Sequence, residues 1–196
     1  MELVPPVLIG IALSATCGFR VFVPLLAVNI GFRALNTDEA SPFKLNDKFE
    51  WLGGDIALVI FLVASILEIG GYYIPWIDNL LDSIASPAAI AAGTLITTSF
   101  INIESWWLQW LLGLIAGGGA AGAVQATTVV TRASSTVTTG GLGNPIVATI
   151  ETSGAFLGSA LAILAAPFAV ALFVLLLGCG VWIWWRRRKC KLAETA

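Results

Sequence analysis

The stretch Ile74-Pro75-Trp76-Ile77-Asp78-Asn79-Leu80-Leu81-Asp82-Ser83-Ile84-Ala85-Ser86-Pro87 carries two carboxylates and two prolines between two long apolar runs. Pro75 suits the first position of a helix, where its missing N–H costs nothing, and Pro87 marks a second break. A short helix between them puts Asp78 and Asp82, four residues apart, on one face. The stretch Gly140-Gly141-Leu142-Gly143-Asn144-Pro145-Ile146-Val147-Ala148-Thr149-Ile150-Glu151 repeats the pattern, with Pro145 opening a segment that bears a carboxylate within two turns. Two broken, acidic half-helices are expected.

Hydrophobic residues make up 58% of the 196 and charged residues 11%, so the class is an all-α integral membrane protein. A net charge of −2 gives no reason to expect nucleic acid as a partner; the lipid bilayer is the expected one. With no histidine in the chain, the commonest acid/base group and metal ligand is missing, and neither a cofactor nor a metal is expected. Cys17, Cys179 and Cys190 are scattered and odd in number, which reads as free thiols. The start, Met1-Glu2-Leu3-Val4-Pro5-Pro6, lacks the basic region of a cleaved leader, so the first apolar run is expected to remain as a membrane helix.

A span needs about 20 apolar residues. Candidates run from about Val4 to Ile30 with a kink at Pro24, Gly53 to Tyr72, Ala88 to Ile103, Trp106 to Val130, and Leu161 to Trp185 with Pro167 inside. Arg33 to Glu50 is a polar connection, and Thr131 to Gly143, rich in Ser, Thr and Gly, reads as irregular. Five spans with a re-entrant Glu151 segment put the C-terminus, with Arg186-Arg187-Arg188-Lys189 and Lys191, in the cytoplasm of a bacterial-type inner membrane. In that arrangement Trp51, Trp106, Trp107, Trp110, Trp182, Trp184 and Trp185 share the inner interface, and Tyr72, Tyr73 and Trp76 the outer one. Six spans, with the Glu151 segment crossing, is the alternative. Displacing the first span by 104 residues sets Ser14 on Gly118 and Gly18 on Gly122. This suggests an inverted repeat of halves 1–104 and 105–185, followed by a basic tail, 186–196, within one polytopic domain.

Arg20 lies mid-span, where an arginine costs about 2.5–3.5 kcal/mol on insertion scales and needs a partner or a function. Asp78 sits where a helix dipole favours an acid; Asp82 and Glu151 have no such explanation. If the half-helices meet, Asp82, Glu151 and Arg20 converge on a polar site near the midplane, with Asp78 and Asn144 beside it. Glu68 and Asp55 read as interfacial. Gln125, Thr127 and Thr128 line the interior or bond across helices. Gly113, Gly117, Gly118, Gly119 and Gly122 form a packing face opposite Gly10, Ser14 and Gly18. Gly140, Gly141 and Gly143 precede a helix N-terminus but lack the lysine of a nucleotide loop, so they read as a hinge or a carbonyl-lined ion site.

From Gly18-Phe19-Arg20-Val21-Phe22-Val23-Pro24-Leu25-Leu26 onward the chain resembles the membrane-protein family catalogued as domain of unknown function 4126. The likeness continues through Ile74 to Asp82 and through Thr139 to Pro145 with Glu151. Ser86 stands where the resemblance implies an arginine before Pro87. The resemblance implies a bacterial inner-membrane protein and no particular activity.

The leading expectation is transport or permeation of a small solute or ion. Arg20 and the half-helix N-termini would hold an anionic group, with Asp82 and Glu151 coordinating a coupling ion. A non-catalytic scaffold or assembly factor is the alternative, and an intramembrane lipid-modifying enzyme a third. The chain is small for a transporter, which leaves room for a homo-oligomer.

Overall fold

The computed structural model describes residues 4–36, 41, 43–165, 175, 178 and 179. Pro167, Trp182, Trp184, Trp185, Cys190 and the basic cluster at 186–191 lie outside them. Among the described residues the protein is helical without strands: α1 (Val4–Thr16), α2 (Phe22–Leu35), a 3₁₀ segment (Asp47–Gly53), α3 (Asp55–Gly71), α4 (Pro75–Phe100), α5 (Trp106–Thr139) and α6 (Asn144–Ala165). Leu80–Phe100, Trp106–Thr139 and Asn144–Ala165 are each long and apolar enough to cross a membrane. The 3₁₀ segment and α3, bent by 56°, make a fourth if counted together.

The first apolar run is two helices rather than one kinked span. Regular structure stops after Thr16 and resumes at Phe22, leaving Cys17 to Val21 as a turn. Pro24 falls in the first turn of α2, where a missing N–H removes no helical hydrogen bond, so it starts a helix and does not bend one. Interhelical contacts fix the directions. Gly10 of α1 lies against Thr97 and Phe100, while Ser14 donates to Gly93 O at 2.7 Å, so α1 and α4 are antiparallel. At the other end of α2, Gly31 meets Phe43, whose ring lies 5.1 Å from that of Phe100. The two arms, of 13 and 14 residues, therefore leave from and return to one end of the bundle. At a rise of ~1.5 Å per residue each is about 20 Å long, short of a hydrocarbon core. Arg20 sits at the apex.

The expected break at Pro87 is absent, and α4 continues from Pro75 to Phe100 with Pro87 on its exposed side. One lost backbone bond costs less than exposing a whole interrupted turn to hydrocarbon. The Glu151 segment is likewise unbroken through Ser153, Gly154 and Gly158. Thr131 to Thr139 is helical too, its hydroxyls donating back to carbonyls three or four residues earlier, as Ser134 does to Val130 O. The helix ends at Gly140 and Gly141, with φ of 64° and 89°, a left-handed C-cap that turns α5 into α6.

α5 passes through a π-helical stretch, Gly113–Gly118, pressed against α4. A Cβ on Gly117 would stand 2.3 Å from Gly93 O, so the glycine face expected to meet α1 mostly receives α4. α1 meets α5 through Ala15, packed with Ala120 and Val124, and the turn after it does so at Gly18, whose Cβ would fall 2.5 Å from the Val124 side chain. Because α1 and α5 both run antiparallel to α4, they point the same way, whereas an inverted pair points oppositely. Exposed Trp51, Trp106, Trp107 and Trp110 gather at the end where α1 begins, and Tyr72 and Tyr73 lie at the other.

Candidate functional site

Two arginines and three carboxylates meet inside the tyrosine end of the bundle. Arg20, supplied by the hairpin apex, has a side chain with no exposed surface. It donates from Nη1 to Glu151 Oε2 at 3.0 Å and to Phe19 O at 2.8 Å. Nε donates to Thr152 Oγ1 at 3.1 Å and Nη2 to Ala148 O at 2.9 Å. A guanidinium has five N–H donors, so four bonds nearly exhaust it. Arg20 is anchored to α6, and little of it is left for an anionic solute.

Arg132 of α5 is the centre of the cluster. Its Nε donates to both Glu151 oxygens at 3.1 Å, its Nη2 to Glu151 Oε2 at 2.5 Å, and its Nη1 to Asp78 Oδ1 at 2.5 Å. Asp82 Oδ1 stands 3.6 Å from Nη1. Asn144 Nδ2 donates to the second oxygen of Asp78 at 3.3 Å, so the two proline-opened helices do meet at their starts. Tyr72 completes the packing, the Arg20 and Arg132 guanidinium carbons lying 4.0 and 4.3 Å from its ring centroid. Stacking of this kind is worth about 0.5–2 kcal/mol per cation and offsets part of the desolvation of the charges.

Two guanidiniums thus face three carboxylates, and Asp82 is the acid that reaches outward: its side chain is 32% exposed against 5% for Asp78 and Glu151. Arg20, Asp78, Asp82, Asn144 and Glu151 are brought together as their residue types suggested, but the link between Asp82 and Arg20 runs through Arg132. Trp110 and Arg132 are 22 residues apart on α5, about 33 Å at ~1.5 Å per residue, which is a whole hydrocarbon thickness.

Arg132 was hidden by its Ser/Thr-rich surroundings, yet the rule that singled out Arg20 applies equally to Val129-Val130-Thr131-Arg132. Glu68 is buried within the protein and accepts from the backbone N–H groups of Val21 at 2.7 Å and Phe22 at 3.0 Å. α2 begins on Val21, which has no side-chain acceptor, so a carboxylate from α3 supplies the missing cap. Asp55 is exposed and pairs with Arg33. Gln125 and Thr128 are buried, and Thr128 Oγ1 lies 3.5 Å from Gly18 O. Among the described residues no cluster of metal-binding side chains forms.

The fold and cluster together define a helical membrane protein with a buried arginine–carboxylate network at one end. The family model described as Domain of unknown function (DUF4126) matches residues 7–186, and the chain belongs to that family. No curated protein and no solved structure matches the chain.

Proposed function

We propose that the protein passes a small cation, or a solute carrying one, through the end of the bundle that holds Arg132. The observation that carries this reading is the excess of carboxylate over guanidinium, with Asp82 open to the outside and Asp78 and Glu151 behind it. A cation arriving at Asp82 competes with Arg132 for the same oxygens, so entry and loosening of the network are one event. Arg20 holds the hairpin apex to α6 and is a fixed charge in this scheme. In the bilayer α4, α5 and α6 span, the bent 3₁₀–α3 pair forms a fourth crossing, and α1–α2 is re-entrant. The tryptophan end faces the cytoplasm of a bacterial inner membrane.

Cations that bind the folded protein raise its melting temperature by mass action. Monovalent and divalent salts, compared at equal ionic strength, should stabilise the wild type selectively and leave Asp82→Asn unmoved. A variant that responds like the wild type refutes the site. A second reading, a non-catalytic scaffold or assembly factor, is favoured by the saturation of Arg20, whose charge is consumed within the protein. A scaffold predicts no selective cation effect and copurification of a partner or of a second copy.

A further inference from the structure

The Glu68 carboxylate stands apart from the Arg132 network. The ion pairs among the described residues do not include it, and the charge is compensated by two backbone N–H groups at the start of α2. The apex of the α1–α2 hairpin is therefore held by hydrogen bonds from two sides: α6 grips Arg20, and Glu68 of α3 accepts from the backbone of Val21 and Phe22. Ser65 lies three residues earlier on the same buried face of α3, and its hydroxyl is fully buried without a hydrogen-bond partner. A buried hydroxyl with nothing to bond is uncommon and calls for a use. The charged and titratable groups near enough to act on the Glu68 charge are Cys17 and Arg20 of the apex and Tyr72 at the end of its own helix.

We propose that Glu68 is a proton-binding site that clasps the hairpin apex and lets go of the start of α2 when it takes up a proton. A new O–H bond forms on one carboxyl oxygen, which then donates to Ser65 Oγ. The N–H of Val21 or Phe22 that this oxygen had accepted is left free, and the first turn of α2 loosens. The device is independent of the permeation reading, because a scaffold with the same hairpin would carry the same clasp.

Hydrogen exchange of the backbone across residues 17–23, corrected for intrinsic rates and followed against pH in nanodiscs, reads the clasp directly. In the wild type the corrected exchange should rise about tenfold on acidification, as expected for losing one charge-assisted bond. Glu68→Gln should exchange at the released rate at every pH. Ser65→Ala removes only an unpartnered hydroxyl, so it should fold normally and move the transition about 0.5–1 pH unit lower. A flat wild-type profile, a transition that survives in Glu68→Gln, or an unmoved transition in Ser65→Ala overturns the proposal. Should Glu68→Gln fail to fold, the wild type and Ser65→Ala decide the matter.

Discussion

Glu151→Gln is the substitution whose consequence the structure fixes most closely. The carboxylate takes hydrogen bonds from both guanidiniums, and Arg20 has no other carboxylate within ion-pair distance among the described residues. Glutamine keeps the shape and one acceptor, but leaves the Arg20 charge buried without a counter-ion and Arg132 with Asp78 and the more distant Asp82. Removing one partner of a buried pair costs about 3–5 kcal/mol. For a chain of this size that is about 6–20 °C in melting temperature. Adding Arg20→Met removes the stranded charge at similar volume and should recover about half of the loss. The assay is thermal unfolding of detergent-purified protein, using tryptophan fluorescence, with Asp55→Asn as an exposed-pair control expected to move by ~2 °C or less. A Glu151→Gln melting point within that control's range, or a double variant no better than the single, would refute the closed Arg20–Glu151–Arg132 geometry.

Other substitutions test the packing. Gly18→Ala, which drives a Cβ to 2.5 Å from Val124 and 2.6 Å from Ala121 O, should cost about 1–3 kcal/mol in the same melting assay. Gly119→Ala meets nothing within 4 Å and should instead stabilise α5 by about 0.5–1 kcal/mol. At Gly140, with φ of 64°, alanine should lose about 1 kcal/mol despite open space, because the strain is in the backbone. Asn29→Ala should cost about 1–3 kcal/mol, since Asn29 Nδ2 donates to both Leu52 O and Gly54 O where the 3₁₀ segment meets α3.

Helical class and membrane character were legible from the apolar runs, and so was the meeting of the two proline-opened stretches, because intramembrane charges have few places to go. Helix continuity was less so. Pro87, Gly154 and Gly158 look like breaks by local preference, but hydrocarbon penalises an open backbone more than a poor helix former, and the helices persist. The converse happened at Cys17 to Val21, where an apolar run interrupted by one charge turns back because Arg20 and the start of α2 bind α6 and α3 instead of continuing a span. Arg132 was missed because serine and threonine read as loop formers in water. Along α5 their hydroxyls bond to the preceding turn and the helix continues to Thr139.

The most direct measurement of the central claim is potential-driven cation flux into proteoliposomes holding the wild type, Asp82→Asn or Arg132→Gln, each checked by melting for a folded state. The account predicts flux above that of empty liposomes for the wild type, at least a tenfold loss in Asp82→Asn, and altered flux in Arg132→Gln, where the competing guanidinium is gone. Wild-type flux no greater than that of empty liposomes, or equal flux in all three proteins, would contradict it and leave the charges to hold the bundle together.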